Sequence, residues 1–350
     1  MKSVAAIYYS KNKPIKIDEI DINDPKEDQV LIKLYASGIC HSQLLNLRRV
    51  PSCPELLGHE GTGRVIKIGS KVRNIKEGDD VLISWMPANY NKDVNYFEWS
   101  YVKYRGKKIK SLLFTWAKHC IVHKQFVTKL PKNVDRYKSS IIGCAVISGY
   151  GTVYNKVKII KNSSVVIYGV GGLGLLAVNA AKNLKANPII VIDIDDKKLD
   201  FAKFFGATHF INSKYINPEK QIKYITKGIG ADFVFDMVGT PLTHKISISS
   251  TRSSTIGFVS GGSTVLVGFP MEETKMNTRD LLMGEKKLIG SRGGGVIPQK
   301  DFKKFYRDYK SGKLLLDKVV TRVFALEEIN NAVNLLKRGK ILGRSILHIS

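Results

Sequence analysis

Apolar residues recur in short runs through the first third of the chain, a pattern typical of β-strands. The runs VLIKLYA, GRVIKIG and DVLISW, at 30–36, 63–69 and 80–85, are interrupted by glycine, proline and asparagine. No internal repeat or low-complexity linker is visible. The pattern predicts an all-β or mixed domain.

From about Ser163 onward, apolar strands alternate with helical patterns. Strands are predicted at 165–169, 188–193, 233–239 and 264–269, and helices at 173–184 and 195–207, the second ending at Gly206. Such alternation is typical of a parallel, doubly wound sheet with right-handed crossovers. Two further helices, at 301–314 and 326–340, and a strand at 345–349 close the chain, and we expect this last part to pack on the first domain.

Composition places the chain among ordinary globular proteins. With 350 residues, 43% hydrophobic and 25% charged, it is not collagen-like, coiled-coil or wholly disordered, and its length suits two domains. Four cysteines are too few for a disulfide scaffold, and the apolar stretch near the start is too short for a secretory signal, so we expect a cytoplasmic protein. The longest uncharged stretch, 162–181, contains the glycines of GVGGLG and predicts a buried strand, turn and helix, with no membrane partner.

The chain is strongly basic, with 56 Lys and Arg against 30 Asp and Glu and a formal charge of +26. Such a charge attracts nucleic acids and anionic membranes. However, the cations are spread from Lys2 to Arg344, and the densest cluster, at 103–110, is short. We therefore expect a solubilising surface that attracts anionic cofactors or substrates, and no nucleic-acid partner.

A glycine-rich turn, GVGGLG at 169–174, lies between a predicted strand and a predicted helix. Its first glycine permits a tight turn, the second lets the backbone approach a pyrophosphate, and the third lets the helix pack on the strand. Asp193 ends the next strand 19 residues after Gly174, near the spacing of an acid that binds the adenosine ribose. The acid predicts NAD(H) over NADP(H), a preference that the nearby Lys198 opposes. The alternative is a structural turn in which Asp193 is a cap.

Three residues far apart in the sequence are candidate zinc ligands: Cys40 in GICHS, His59 in GHE and Cys144 in GCA. Two thiolates and an imidazole leave a fourth tetrahedral position for water or substrate, as in a catalytic rather than a structural zinc site. Any one of them alone would be more simply interpreted as a core residue.

These motifs together carry a family resemblance. The run GHEGTGRVIKIGSKV at 58–72 resembles the zinc-containing alcohol dehydrogenase signature of the medium-chain dehydrogenase/reductase superfamily. With GICHS, GCAVISGYGTV and GVGGLG, the resemblance covers nearly the whole chain in the family's order. It implies an α/β protein with a mostly-β GroES-like catalytic domain at 1–147 and 292–350 and a Rossmann cofactor domain with a doubly wound parallel sheet at 148–291. It also implies a homodimer or homotetramer.

The resemblance also assigns roles to individual positions. Cys40, His59 and Cys144 match the ligands of one catalytic zinc per subunit, Glu60 matches an acid beside the metal, and Ser42 matches the hydroxyl that takes the alcohol proton. The positions expected to bind the cofactor are His41, Ser148, Gly169, Gly171, Gly172, Leu173, Gly174, Asp193, Lys198 and Arg344. Of these, His41 and Arg344 match contacts to the pyrophosphate, and Ser148 and Leu173 match positions beside the nicotinamide.

The sequence departs from the family pattern at three places. Gln43 stands where relatives place an aspartate that orients the histidine ligand, and Leu45 stands where many relatives continue the proton relay with a histidine. No cysteine occurs between Pro87 and Trp116, so we expect the family's structural zinc to be absent. The lobe's own apolar residues are expected to hold it instead, including Tyr96, Phe97, Trp99 and Tyr101.

The implied reaction is hydride transfer between an alcohol and NAD(H), with the substrate oxygen on the catalytic zinc, and the reverse reduction of an aldehyde or ketone. Polyol, sugar or threonine dehydrogenases of the same superfamily and a semialdehyde reductase are the alternatives, although Cys144 favours the alcohol type. A zinc-free quinone or enoyl reductase would need none of the three ligands. A nucleic-acid-binding protein or non-catalytic sensor on this fold is the alternative from another class.

The remaining cysteines and histidines predict no second metal site. His119 and Cys120 of HCxxH are expected on opposite faces of a strand. Cys53 is interpreted as a free thiol, and the other histidines as surface or core residues, namely His209, His244 and His348.

Overall fold

The computed structural model describes residues 1–11, 13–48, 54–88, 99–255 and 259–350. Cys53, Tyr96 and Phe97 lie outside the described residues.

The described residues form strands and helices in the following chain order. The strands are β1 (Lys2–Tyr8), β2 (Lys16–Ile22), β3 (Gln29–Ile39), β4 (Glu55–Leu56), β5 (Glu60–Ile68), β6 (Asp80–Ser84), β7 (Ser100–Tyr104), β8 (Lys107–Ser111), β9 (His119–His123), β10 (Val127–Lys129), β11 (Val165–Tyr168), β12 (Ile189–Asp193), β13 (His209–Asn212), β14 (Phe233–Asp236), β15 (Ser263–Leu266), β16 (Lys287–Gly290), β17 (Val320–Ala325) and β18 (Arg344–His348). The α-helices are α1 (Gln43–Asn46), α2 (Thr152–Asn155), α3 (Gly172–Asn183), α4 (Asp196–Ala202), α5 (Pro218–Ile225), α6 (Pro241–Ser250), α7 (Thr278–Met283), α8 (Pro298–Lys310), α9 (Leu316–Val319) and α10 (Ile329–Lys337).

The chain divides into two compact units. The first comprises Met1–Cys144, Ile297–Ser311 and Leu316–Ser350, and the second comprises Ala145–Val296 and Gly312–Leu315. The short return of the chain to the second unit is held by Asn179 of α3, whose amide donates to the Lys313 carbonyl at 3.0 Å and accepts from the Leu315 N–H at 3.0 Å. Asn183 of α3 donates to the same Lys313 carbonyl at 2.9 Å. The sequence patterns gave no sign of this return, because it depends on hydrogen bonds between residues more than 100 positions apart.

The first unit is built from two sheets. A five-stranded antiparallel sheet has the order β4-β1-β2-β7-β8, and a second sheet follows the path β10-β6-β5-β3-β18-β17, with β9 also paired to β3. Strand β3 is central and buried almost along its whole length, with Lys33 its one exposed residue. Its neighbours β5, β9 and β18 pair with it antiparallel. The strand predictions at 30–36, 63–69 and 80–85 are confirmed.

The second unit contains a six-stranded parallel sheet in the order β13-β12-β11-β14-β15-β16. Numbered within the sheet, this is the order 3-2-1-4-5-6 of the Rossmann fold. The order reverses between β11 and β14, where such folds bind ligands beyond the carboxyl ends of the strands. The predicted parallel, doubly wound sheet is confirmed. Strands β13 and β16, at its two edges, are additional to the predicted strands.

The C-terminal elements follow the prediction with shifted boundaries. Helix α8 begins at Pro298 rather than 301, because proline suits the first helical turn, and a 3₁₀ turn at Leu326–Glu328 precedes α10. Strand β18 pairs with β3, so the end of the chain belongs to the first unit. Within the described ranges, no helix has the length and apolar character needed to cross a membrane.

Candidate functional site

Three separate segments of the first unit bring four potential metal ligands together. Cys40 directly follows β3, His59 and Glu60 stand at the start of β5, and Cys144 ends a 3₁₀ segment, Lys138–Gly143. One ligand atom from each of these four residues lies within 4.8 Å of all the others. Since β3 and β5 are paired strands of one sheet, the backbone brings Cys40 close to His59 and Glu60.

The geometry of the cluster fits a tetrahedral zinc ion. The Cys40 and Cys144 sulfurs are 3.9 Å apart, and His59 Nε2 lies 3.3 Å from Cys144 Sγ. Ligands at zinc bond lengths of about 2.3 Å for sulfur and 2.0 Å for nitrogen are about 3.5–3.8 Å apart in a tetrahedron. The sulfur and imidazole donors are also the types that zinc prefers. The residues present therefore fit the metal.

Burial and mutual contact perturb the two thiols in opposite directions. Hydrogen bonding from the Cys144 thiol holds the pKa of Cys40 well below its usual value against the opposing effect of burial, and the Arg344 charge adds to the lowering. The same hydrogen bond, together with burial, raises the pKa of Cys144. A divalent cation bound between the two sulfurs would replace this hydrogen bond.

Glu60 is fully buried behind the cluster and forms an ion pair with Arg344, at the start of β18. Its carbonyl accepts hydrogen bonds from the Ser37 and Thr115 hydroxyls at 2.9 and 3.0 Å. Gly38 faces its carboxylate so closely that an added Cβ would overlap it. The described ion pair of Arg344 is thus with Glu60, and a contact of Arg344 with the cofactor pyrophosphate stays a prediction.

Helix α1 places two further residues against the cluster. The Ser42 hydroxyl, at its N-terminus, donates to Cys40 Sγ at 3.3 Å. The Gln43 side chain has its Nε2 2.9 Å from His59 Nδ1, and its Oε1 accepts from the Gly58 N–H at 2.8 Å. His41 is exposed, and Leu45 is half-buried.

In the second unit, the glycine-rich turn joins β11 to α3. Gly169 has a φ of +83°, in the left-handed region that favours glycine, and its N–H donates to the Ile192 carbonyl at 2.8 Å. A Cβ on Gly174 would overlap the Gly169 carbonyl, whereas a Cβ on Gly171 would meet no atom within 4 Å. The backbone at Gly171 is therefore open to a ligand, while Gly169 and Gly174 shape the turn.

Asp193 is tied to this turn by backbone hydrogen bonds. Its Oδ2 accepts from the Val170 N–H at 2.9 Å, and its Oδ1 accepts from the N–H groups of Ile194 and Asp195 at 2.8 and 3.2 Å. Lys198 lies on α4, half-buried, one turn beyond the cap residue Asp195. The carboxylate is thus fixed beside the helix N-terminus of α3.

The other predicted nicotinamide neighbours also converge within the second unit. Ser148 lies in a π-helical turn, Ile147–Gly151, and its carbonyl accepts from the Thr152 hydroxyl at 2.6 Å. A Cβ on Gly149 of that turn would meet the carbonyl of Leu173 in the first turn of α3, beside Gly172. The turn that carries Ser148 therefore packs against the segment that carries Leu173.

Sequence reasoning missed two residues at this edge of the sheet. Asp236 ends β14, is fully buried, and accepts from the N–H groups of Val238 and Gly239 at 2.8 and 3.0 Å. Val238 in turn lies against Gly169, where an added Cβ would approach its side chain within 2.6 Å. The sequence signal that could have identified Asp236 is a polar residue at the end of the apolar run FVFD, because the carboxyl ends of parallel strands lie at one edge of the sheet.

The residues set aside from the metal prediction lie apart from the cluster. His119 contacts the Ser3 hydroxyl at 3.0 Å, and Cys120 is completely buried in the core. His123 of the same motif accepts from the Gln125 N–H at 3.3 Å. Three further histidines also have neighbours outside the cluster: Thr208 for His209, Thr274 for His244 and the Tyr137 ring for His348.

Trp99 and Tyr101 are the described members of the set expected to hold the lobe without cysteines. Trp99 is 38% exposed, with Lys110 over its ring at 5.3 Å, and Lys108 lies 3.9 Å over the Tyr101 ring. The inward side chains of β7 and β8 belong to an apolar core cluster, so apolar packing and cation–π contacts occur together on these paired strands.

Comparisons with known proteins give a consistent result. Residues 26–132 match the alcohol dehydrogenase GroES-like domain, and residues 172–311 match the zinc-binding dehydrogenase family. Alcohol dehydrogenase 6 of Peromyscus maniculatus is 29% identical over 97% of this chain and 96% of its own, and S-(hydroxymethyl)glutathione dehydrogenase of Escherichia coli is 29% identical over 97% and 98%. Among solved structures, benzyl alcohol dehydrogenase from Acinetobacter calcoaceticus has a TM-score of 0.87 and 28% identity over 100% of both chains. An alcohol dehydrogenase zinc-binding domain protein from Burkholderia ambifaria has a TM-score of 0.88 and 26% identity, and the match covers 100% of this chain and 99% of its own.

Proposed function

The chain belongs to the zinc-containing alcohol dehydrogenase family of the medium-chain dehydrogenase/reductase superfamily, and on this premise we propose how its own residues carry the reaction. It is an oxidoreductase of the alcohol dehydrogenase type. The single observation that carries the proposal is the convergence of Cys40, His59, Glu60 and Cys144 within 4.8 Å.

Cys40, His59 and Cys144 are proposed to hold one catalytic zinc per chain. Glu60 is proposed to stay behind the ligands, where its carboxylate is engaged by Arg344 and its carbonyl by two hydroxyls. Zinc would supply a Lewis acid that lowers the pKa of an alcohol or polarises a carbonyl, and the nicotinamide would carry the hydride. The absence of cysteine from Pro87 to Trp116 supports a stoichiometry of one zinc, with no structural zinc.

Ser42 is proposed to accept the alcohol proton at its Oγ. Its hydroxyl already lies 3.3 Å from Cys40 Sγ, so it is within reach of a group bound at the cluster. Because Leu45 offers no proton acceptor, the proton would leave Ser42 through the cofactor ribose or water. His41, which is exposed, is a proposed contact to the cofactor pyrophosphate, as is Arg344.

The cofactor is proposed to be NAD(H) in preference to NADP(H), held at the turn of Gly169, Gly171, Gly172 and Gly174. The fixed carboxylate of Asp193 would accept hydrogen bonds from the adenosine ribose hydroxyls and repel a 2′-phosphate. Lys198 would approach the same end of the cofactor. Ser148 and Leu173 would flank the nicotinamide.

The substrate class is proposed to be a primary or aryl alcohol and the matching aldehyde. The relatives named for benzyl alcohol and S-(hydroxymethyl)glutathione support a primary alcohol group. Polyol, sugar and threonine dehydrogenation and semialdehyde reduction are the second candidates, and the positive charge of +26 favours the semialdehyde among them because it carries a carboxylate.

We propose that the protein works in the cytoplasm as a homodimer or homotetramer. No nucleic-acid or membrane partner is proposed. The low cysteine content of the chain, four in 350 residues, supports a reducing compartment.

The test of the reaction is a screen of NADH and NADPH oxidation against short aldehydes, aryl aldehydes, semialdehydes and the same compounds as alcohols with NAD. The proposal expects turnover with at least one aldehyde and a higher kcat/KM with NADH than with NADPH. Turnover with sugars or polyols alone would instead assign the chain as a sugar or polyol dehydrogenase.

A further inference from the structure

A large groove in the first unit lies apart from the candidate zinc ligands. It has a volume of about 1460 Å³ and separates helix α8 from strands β5, β6 and β10 and the loops beside them. We call it the α8 groove. None of Cys40, His59, Glu60 and Cys144 lines it.

Six cationic side chains and two carboxylates line the α8 groove. The carboxylates are already engaged, since Asp80 pairs with Arg64 at 3.1 Å and Asp79 pairs with Lys129 at 2.9 Å. Lys310 donates to a backbone carbonyl, that of Lys132.

The three remaining cations are Lys132, Lys303 and Arg307, which are exposed and form no ion pair with any part of the chain that the structure describes. Lys303 and Arg307 stand four residues apart on α8 and so project from one side of the helix. The groove thus carries three exposed cations whose charge no described carboxylate compensates.

We propose that the α8 groove binds a ligand with contiguous phosphate groups, as in a nucleoside triphosphate or inorganic polyphosphate. Phosphate oxygens accept hydrogen bonds from hydroxyl, ammonium and guanidinium donors alike. The groove exceeds the roughly 300–1,000 Å³ of ordinary small-molecule pockets, so it accommodates several phosphates rather than one. This inference is independent of the proposed reaction.

The test is calorimetric titration of the purified full-length protein with tripolyphosphate and with ATP. Saturating NADH is present throughout, so that the glycine-rich turn is filled. The double variant Lys303→Gln/Arg307→Gln is expected to weaken binding of both ligands about tenfold or more, because each lost charge-assisted hydrogen bond approaches that factor. The control Lys300→Gln/Lys318→Gln removes the same charge from exposed residues that do not line the groove, and it should bind like the wild type.

Thermal melting of the same samples separates binding from folding. All four substituted residues are exposed, so both double variants should melt like the wild type. Equal affinity for the two ligands identifies the phosphate chain as the recognised group, and tighter ATP binding adds a contribution from the nucleoside. The proposal is overturned if neither ligand binds at millimolar concentration, or if both double variants weaken binding equally.

Discussion

Gln43 and His59 are held side by side, with Gln43 Nε2 2.9 Å from His59 Nδ1 and Gln43 Oε1 on the Gly58 N–H at 2.8 Å. For His59 Nε2 to bind a metal as a neutral imidazole, Nδ1 must carry the proton. The Gly58 N–H and the His59 Nδ1–H are then both donors, and an amide has one acceptor oxygen to share between them. A carboxylate at this position would satisfy both.

Gln43→Glu is therefore expected to tighten zinc binding about tenfold. The substitution keeps the shape of the side chain and supplies a second acceptor oxygen, and changes in groups that hold a ligand histidine alter metal affinity by about 10–100-fold. Competition with a chromophoric chelator measures the zinc affinity directly.

Gln43→Leu serves as the control, because it removes the contact to His59 and should weaken zinc binding. Equal zinc affinity in wild type, Gln43→Glu and Gln43→Leu would show that Gln43 does not orient the imidazole.

Gly171→Ala should leave folding intact and impair cofactor binding. A methyl group there meets no protein atom within 4 Å, so only a ligand that approaches the backbone can sense it. We expect a loss of NADH affinity of at least about tenfold, which corresponds to one misplaced phosphate contact. NADH fluorescence titration and a thermal melt on the same sample measure both properties.

Gly174→Ala provides the contrasting case. Its methyl group would overlap the Gly169 carbonyl, so this variant should lower the melting temperature as well as the NADH affinity. Undiminished NADH binding by Gly171→Ala would place the pyrophosphate elsewhere.

Asp193→Asn should shift cofactor preference toward NADP(H). The change removes the charge that repels a 2′-phosphate, so we expect the ratio of kcat/KM for NADP to that for NAD to rise about tenfold or more. The matched control is Asp195→Asn, which removes the same charge two residues away. The Asp195 carboxylate caps α4 through the Lys197 N–H, whereas the Asp193 carboxylate is bound to the glycine-rich turn. A wild-type enzyme that prefers NADP(H), or an equal shift in both variants, would contradict the role of Asp193.

The buried pair of Glu60 and Arg344 should show strong energetic coupling. Arg344 is 5% exposed and Glu60 is fully buried, so removing either partner leaves an uncompensated charge in the interior. We expect Glu60→Gln and Arg344→Met each to lower the free energy of unfolding of the metal-free first unit by about 3–5 kcal/mol. Urea denaturation of both single variants and the double variant in the presence of chelator measures the coupling, and additive losses would argue against it.

Local patterns predicted the central strands of the parallel sheet, the glycine turn and the three candidate zinc ligands, because each depends on residues within a short segment. The hairpin of β7 and β8 was described from sequence only as a charge cluster, yet Val102, Tyr104 and Ile109 alternate inward along it. Its turn has positive φ at Arg105 and Gly106, +49° and +75°, which suits a two-residue hairpin. The alternation was not recognised in the sequence because lysines occupy many of the intervening positions.

Long-range partnerships were beyond the sequence patterns. Glu60 and Arg344 lie 284 positions apart, and nothing local to either segment predicts their ion pair. The α8 groove likewise joins α8 with loops near Asp79 and Lys129, which meet only in the folded first unit. The contact of Gln43 with His59 was anticipated because the resemblance marked that position. The structure was needed to show that the Gly58 N–H and the His59 ring both depend on the one side-chain oxygen of Gln43.

The decisive experiment measures zinc content and NADH-linked turnover on one preparation each of the wild type and of Cys144→Ser. We expect about one zinc per chain and aldehyde turnover in the wild type, and loss of turnover with much reduced zinc in Cys144→Ser. Two zinc ions per chain would contradict the absence of a structural zinc. A Cys144→Ser variant that keeps both its zinc and its turnover would contradict the assigned ligands.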